Sequence, residues 1–224
     1  MMTRFLIALN VIGFLWEISV AGPGMLSFGG GGNLDRVLEE GSLFPAAVLS
    51  DGQWWRIVSG GFLHGGLLHI GVNMLSLWFL GRFIEYAIGP WRMLFIYMAS
   101  LVAAGLGVVY FSAPLVPTVG ASGAIFGLFG ALFAIGLKLG KPGMELVRAN
   151  LGILVLNLII TFSVPAISWQ AHISGLIAGF VLTFAIYAPP RRVAPVVVDA
   201  STGSTFETEY EPPPGDRSSH QPHP

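Results

Sequence analysis

A serine and a histidine far apart in the sequence are the residues best suited to nucleophilic chemistry. Ser122 lies in the run Gly120-Ala121-Ser122-Gly123, whose glycines permit a sharp entry into a helix and a close approach of another backbone. His172 lies in an apolar stretch that also holds Gly175. A serine hydroxyl becomes a nucleophile when a base takes its proton, and a neutral imidazole is the usual base. The two residues therefore indicate acyl-transfer chemistry if the fold brings them together.

Two further polar residues could assist such chemistry. His69 and Asn73 are four positions apart and therefore share one face of a helix. Acyl transfer needs hydrogen-bond donors for the negative oxygen that develops during attack, and His69, Asn73 and the backbone N–H of Ser122 could supply them. No carboxylate is expected at the same depth on a neighbouring span, so the sequence predicts a serine–histidine dyad rather than a triad.

The composition shows what kind of scaffold must position these residues. The chain has 224 residues, of which 54% are hydrophobic and 10% are charged, and its mean hydropathy is +0.73. Soluble domains carry about 25% charged residues, so this composition predicts an integral membrane protein. The net charge of −1 provides no basic field for binding nucleic acid. With no cysteine, the chain can form neither a disulfide nor a thiolate metal site.

Uncharged stretches predict six transmembrane helices in an all-α, polytopic fold. The predicted spans cover residues 5–21, 57–81, 93–110, 121–137, 149–163 and 169–188. A long segment after the first span holds four glycines in a row and is expected to be a membrane-associated first loop. Residues 1–190 form the predicted membrane domain. Residues 191–224, rich in Pro, Ser and Thr, are predicted to be a disordered cytoplasmic tail.

The distribution of basic residues predicts the orientation of the six spans. Nine of the eleven Lys and Arg residues fall on one side of a six-span zigzag, and only Arg36 and Arg56 fall on the other. By the positive-inside rule, both termini are cytoplasmic. The second, fourth and sixth spans then start at the outer face, and each carries its polar residues near that start: His64, His69 and Asn73, then Ser122, then His172. This common depth is the main physical indication of a site.

Small-residue spacing suggests how two of these spans meet. Gly123, Gly127 and Gly130 form a stripe on the fourth span, and Gly175 and Gly179 form a GxxxG stripe on the sixth. Such stripes let membrane helices pack closely, which would bring His172 within reach of Ser122.

Other interpretations of these residues remain open from spacing alone. A serine among glycines can be a packing residue, and histidines within a span can be structural. The three histidines could form a metal site, but no carboxylate, thiol or HExxH motif accompanies them, so neither metal nor cofactor is expected. Glu17 is interpreted as an interfacial or helix-pairing group and Asn157 as a contact between helices. A transporter would need charged midplane sites on several spans, which the sequence lacks.

Four ordered motifs resemble those of the rhomboid family of intramembrane serine proteases, in the minimal six-span bacterial form. They are Trp55-Arg56 in the first loop, His64-Gly-Gly-Leu-Leu-His69-Ile-Gly-Val-Asn73, Gly120-Ala121-Ser122-Gly123 and Ala171-His172-Ile-Ser-Gly175. The resemblance implies that Ser122 is the nucleophile, that His172 is the general base and acid, and that His69, Asn73 and the Ser122 N–H form the oxyanion hole. It also implies that Trp55 and Arg56 belong to a loop that braces the site in the outer leaflet.

The resemblance also suggests a substrate class and a location. The expected partners are the lipid bilayer and single-span transmembrane proteins, and the expected location is a bacterial cytoplasmic membrane with the site near the outer leaflet. Phe126 stands where tyrosine is common in the family, and its ring is expected to stack on His172 without the hydroxyl. Gly60 and Gly61 stand where some relatives carry a polar residue that holds water. The alternative function is that of a rhomboid-like protein that binds membrane helices without cutting them.

Overall fold

Six long apolar helices form the body of the molecule, as the sequence predicts. The computed structural model describes residues 1–189 and the backbone of two later segments, 196–198 and 205–207. It divides the chain into two compact units, Met1–Ala188 and Pro189–Pro224. All six candidate spans lie in the first unit, which confirms an all-α polytopic membrane fold.

The elements of the first unit follow one another with short connections after the first loop. The first span is α1 (Met2–Ala21), and the second combines α5 (Leu67–Ser76), a π-helical turn (Leu77–Gly81) and α6 (Arg82–Ile88). The remaining spans are α7 (Pro90–Phe111), α8 (Ser122–Leu139), α9 (Lys141–Ser163) and α10 (Trp169–Ile186). The first loop contains a 3-10 turn (Pro23–Leu26), α2 (Leu34–Gly41), α3 (Pro45–Leu49), α4 (Arg56–Ser59) and a second 3-10 turn (Gly60–Phe62).

The second span starts ten residues later than the sequence predicts, at Leu67 rather than at residue 57. The uncharged stretch before it is broken into α4, a 3-10 turn and an extended link, because Gly66 adopts a φ of 145° that a side chain would disfavour. A side chain at Gly66 would also overlap the backbone of Gly30, so the glycine-rich first loop lies directly against the start of α5. Uniform hydropathy could not reveal this break. His64 consequently lies in the link before α5 and not within the span.

The fourth span, α8, is the central helix. Most of its residues are buried, and it packs chiefly against α10 and α7. A Cβ atom at Gly175 would overlap the carbonyl oxygen of Gly123, and one at Gly179 would overlap that of Gly127. Glycine thus lets α8 and α10 approach each other backbone to backbone along the two predicted stripes.

Arg56 ties several parts of the first loop together. Its guanidinium donates to the carbonyl oxygens of Ser42 and Glu39, each at 2.7 Å, and to the side-chain oxygen of Gln53. The side chain is buried, and its guanidinium carbon lies 4.7 Å from the centre of the Trp55 ring. The loop therefore has an internal cationic anchor, while Trp55 itself is half exposed.

Two strands are described in the second unit. Strands β1 (Val196–Val198) and β2 (Thr205–Glu207) pair antiparallel, with Val197 opposite Phe206. Valine, threonine and phenylalanine, which make up most of these six residues, favour strands. The other tail residues lie outside the described part of the chain, and for them disorder stays a prediction.

Candidate active site

The nucleophile candidate sits at the first residue of α8, immediately after a backbone turn that requires glycine. Gly120 has a φ of 121°, and its N–H donates to the carbonyl oxygen of Gly60 at 2.9 Å. A Cβ atom at Gly120 would lie 2.7 Å from His69 Nε2. Glycine at this position therefore places the start of α8 directly beside the His69 ring.

Ser122 and His172 meet as the sequence predicts. The Ser122 hydroxyl oxygen lies 2.8 Å from His172 Nε2, a normal hydrogen-bond distance. The glycine contacts between α8 and α10 hold the two helices close enough for this bond.

Phe126 fixes the orientation of the imidazole. Its ring is one helical turn beyond Ser122 and stacks on His172, with centroids 4.0 Å apart and planes inclined by 11°. Both side chains are buried. The expected stacking is therefore present.

A third side chain, which the sequence interpretation missed, contacts the far side of the imidazole. Thr161 Oγ1, on α9, lies 2.7 Å from His172 Nδ1 and is also buried. The same hydroxyl donates to the carbonyl oxygen of Asn157 at 2.7 Å. A signal was present in the sequence, because Thr161 continues the seven-residue spacing of Val147 and Leu154 along the buried face of α9.

A backbone hydrogen bond determines which ring nitrogen of neutral His69 carries the proton. The N–H of Gly65 donates to His69 Nδ1 at 3.3 Å, so a neutral His69 ring carries its proton on Nε2. Nε2 is the atom that faces Gly120 and the start of α8. His69 is thus oriented as a donor toward the region of the Ser122 hydroxyl.

Free backbone donors lie at the same place. The first N–H groups of a helix have no acceptor within the helix, and no side chain among the described residues caps the start of α8. These N–H groups, beginning with that of Ser122, sit at the positive end of the helix dipole and favour a negative ligand.

The Asn73 side chain is hydrogen-bonded within its own helix and not to Ser122 or His172. It is buried on α5, and its amide nitrogen donates to the carbonyl oxygen of His69 at 2.9 Å, within its own helix. Its part in an oxyanion hole stays a prediction.

An open crevice of about 560 Å³ leads to the serine. Ser122, His69 and Gly120 line it, together with the loop that joins α9 to α10. The Ser122 side chain is therefore accessible from an open crevice in the surface of the helix bundle.

His64 lies behind His69. Its ring is completely buried, its centroid is 5.1 Å from that of His69, and the two planes meet edge to face. Burial lowers the pKa of His64 to about 3, and the nearby His69 ring acts in the same direction, so His64 is neutral at pH 7. A carboxyl oxygen of Glu17 accepts a 2.8 Å hydrogen bond from the His64 backbone N–H, so Glu17 connects α1 with the link before α5.

Asn157, Gly60 and Gly61 are three further residues to which the sequence draws attention. The Asn157 amide donates to the carbonyl oxygen of Ile153 in its own helix, and among the described residues its side chain has no hydrogen bond to another helix. Gly60 and Gly61 sit in tight contacts, since a Cβ at Gly60 would lie 3.1 Å from the Leu43 nitrogen and one at Gly61 would overlap the Leu101 side chain. A side chain at either position would therefore require the Leu43 backbone or the Leu101 side chain to shift.

No metal centre is formed in the described part of the chain, where no group of three or more His, Asp or Glu side chains could hold an ion. The described part of the chain is therefore a polytopic membrane domain in which the Ser122 and His172 side chains are hydrogen-bonded near the starts of two packed helices, α8 and α10.

Comparison with known proteins agrees with this class. A family model described as the rhomboid domain matches residues 51–189. Over 189 residues the chain is 34% identical to rhomboid protease GluP of Bacillus subtilis (strain 168), covering 84% of this chain and 35% of that protein. It is 36% identical over 135 residues to rhomboid protease GlpG of Yersinia pestis (strain Pestoides F), covering 59% and 48%. It is 33% identical over 148 residues to RHOMBOID-like protein 5 of Arabidopsis thaliana, covering 64% and 48%.

The chain belongs to the rhomboid family. It spans less than half the length of each of these three relatives.

Proposed function

We propose that this chain is a serine endopeptidase that cleaves transmembrane segments of single-span membrane proteins by means of a Ser122–His172 dyad. The observation that carries the proposal is the 2.8 Å contact between Ser122 Oγ and His172 Nε2, beside free N–H groups and the Nε2–H of His69. The names of the relatives, which include rhomboid proteases, support the same reaction class.

In the first half of the reaction, Ser122 Oγ attacks the carbonyl carbon of the scissile peptide while its proton passes to His172 Nε2. The carbonyl oxygen becomes an oxyanion, which the Ser122 N–H, His69 and Asn73 stabilise as donors. Collapse of this intermediate breaks the C–N bond, and His172 returns the proton to the leaving amine. An acyl group then remains on Ser122.

In the second half, water attacks the acyl carbon and gives its proton to His172. The ester bond to Ser122 breaks, the carboxyl product leaves, and His172 returns the proton to the serine oxygen. The open crevice supports this step, because it gives solvent a path to Ser122.

A peptide within a regular helix hides its carbonyl carbon, so a substrate helix must unwind locally before attack. Gly and Pro have the lowest helix propensities, about 1 and 3 kcal/mol less favourable than Ala. The preferred substrate is therefore a single-span protein whose helix contains such residues near its outer end.

The proposed setting is a bacterial cytoplasmic membrane with both termini inside and the site near the outer leaflet. The basic residues support this orientation. Ser122 is the first residue of α8, His69 the third of α5 and His172 the fourth of α10, so all three lie within about 6 Å of the helix starts at a rise of 1.5 Å per residue.

A reconstituted cleavage assay tests the proposed activity. Purified protein in liposomes is mixed with a single-span substrate that carries glycine and proline near the outer end of its helix, and products are identified by mass spectrometry. We expect cleavage by the natural chain and none by Ser122→Ala or His172→Ala. Ser19→Ala is the matched control, because Ser19 is exposed on α1 and its hydroxyl donates to the carbonyl oxygen of Trp16 in the same helix. Binding of the substrate without any product would instead support the non-cleaving alternative.

A further inference from the structure

The serine–histidine pair contains no carboxylate, yet the imidazole makes a second buried hydrogen bond. In serine hydrolases with a triad, the third residue holds the histidine in the tautomer that leaves Nε2 free to accept the serine proton. Here His172 Nδ1 faces Thr161 Oγ1 at 2.7 Å. A neutral threonine hydroxyl can either donate to or accept from a ring nitrogen, so the direction of this bond must be established.

The second bond of the Thr161 hydroxyl settles that direction. A hydroxyl has one proton, and a backbone carbonyl oxygen can only accept. Because Thr161 Oγ1 lies 2.7 Å from the Asn157 carbonyl oxygen, its proton is used there. The contact with His172 must then be a donation from Nδ1–H to the threonine oxygen.

The consequence reaches Ser122. A neutral imidazole with its proton on Nδ1 has an unprotonated Nε2, and Nε2 is the atom 2.8 Å from Ser122 Oγ. The serine hydroxyl therefore donates to the imidazole, as a general base requires. The opposite tautomer would present an N–H to the serine and could not accept its proton.

Burial strengthens the constraint. Thr161 is 3% exposed and His172 7% exposed, so water does not readily replace the threonine oxygen. A buried Nδ1–H without an acceptor would cost free energy. The Nδ1–H tautomer is therefore favoured only while the Thr161 oxygen is present to accept its hydrogen bond.

We propose that Thr161 is a positioning residue that holds His172 in the Nδ1–H tautomer and so takes the place of the triad carboxylate. A chain of hydrogen bonds thus connects the Asn157 carbonyl oxygen, Thr161, His172 and Ser122. The consequence for turnover rests on the proposed function, whereas the tautomer itself does not.

Turnover of a reconstituted substrate tests the consequence. Thr161→Val keeps the shape of the side chain but removes the acceptor, and we expect kcat to fall roughly ten- to a hundredfold with KM nearly unchanged. Thr161→Ser restores the hydroxyl and should recover most of the rate. Thr183→Val is the matched control, because Thr183 is also a fully buried threonine in a membrane helix, and its hydroxyl has no partner among the described residues.

The tautomer can be read independently of activity. In protein labelled with ¹⁵N-histidine, the His172 signals, assigned by their loss in His172→Ala, should show a protonated Nδ1 and an unprotonated Nε2. In Thr161→Val the proton should shift toward Nε2, while Thr183→Val should leave the spectrum unchanged.

The outcomes separate the two proposals. A natural chain with Nε2 protonated, a spectrum unchanged by Thr161→Val, or equal rate losses in Thr161→Val and Thr183→Val would each overturn the role of Thr161, even if cleavage depends on Ser122. A protein that shows the expected tautomer shift but cleaves no substrate would support Thr161 as the positioning residue and refute the proposed function.

Discussion

Adding one methyl group at Gly175 should separate Ser122 from His172 without altering either side chain. A Cβ there would overlap the carbonyl oxygen of Gly123, the residue that follows Ser122. Relief of that overlap requires α8 and α10 to move apart by about 1 Å, because closely packed backbones have no other space to give. His172 lies on α10 one turn before Gly175, so the displacement acts directly on its 2.8 Å contact with Ser122.

The size of the effect follows from this displacement. A misplacement of about 1 Å at a reacting group can cost roughly a hundredfold in rate. Overpacking of a well-packed contact costs about 1–3 kcal/mol of stability. We therefore expect Gly175→Ala to lower kcat about a hundredfold while the protein remains folded.

Gly152→Ala is the matched control, since a Cβ at Gly152, on the exposed face of α9, meets no atom within 4 Å. Turnover by both variants is measured in liposomes with a single-span substrate, and thermal unfolding is followed in detergent. If Gly175→Ala cleaves at the natural rate, the close contact of α8 and α10 does not position the dyad and the reasoning is wrong.

Two further substitutions test the supports of the site. Phe126→Leu removes the ring that stacks on His172 at 4.0 Å, and we expect turnover to fall about two- to tenfold, in line with the 0.5–1.5 kcal/mol of an aromatic pair. Phe129→Leu is the control, because the Phe129 ring does not stack on the His172 imidazole, and it should lower turnover less. Equal losses of turnover in the two variants would contradict a role for the stacked Phe126 ring. Arg56→Lys loses the fork that reaches the Ser42 and Glu39 carbonyls and should lower stability by about 1–3 kcal/mol, measured by thermal unfolding. The exposed Arg36→Lys should cost much less, and equal costs would refute the anchoring by Arg56.

The number and order of the spans could be predicted because hydrocarbon excludes charge, and this constraint is visible in composition alone. The meeting of Ser122 and His172 could also be predicted, because glycine stripes on two helices imply close packing at a common depth. These features depend on residue type and spacing, which a sequence shows directly.

Other features depend on contacts that spacing does not encode. The break before α5 arises where Gly66 meets Gly30 of a distant loop, and hydropathy is uniform across it. The hydrogen bond between His172 and Thr161 is one example, because threonine is common in membrane helices and its sequence position does not show which partner it has. Arg56 likewise donates to backbone carbonyl oxygens. Because every residue in the loop has a carbonyl oxygen, the sequence does not show which ones Arg56 binds. Such contacts are determined by the three-dimensional fold and cannot be inferred from residue type and spacing.

Covalent capture of the serine tests the central claim most directly. The purified protein is treated with a fluorophosphonate, which reacts with an activated serine, and the modified residue is located by peptide mass spectrometry. The account predicts modification at Ser122 in the natural chain and its loss in His172→Ala. Modification at another residue, or at Ser122 to the same extent without His172, would contradict it.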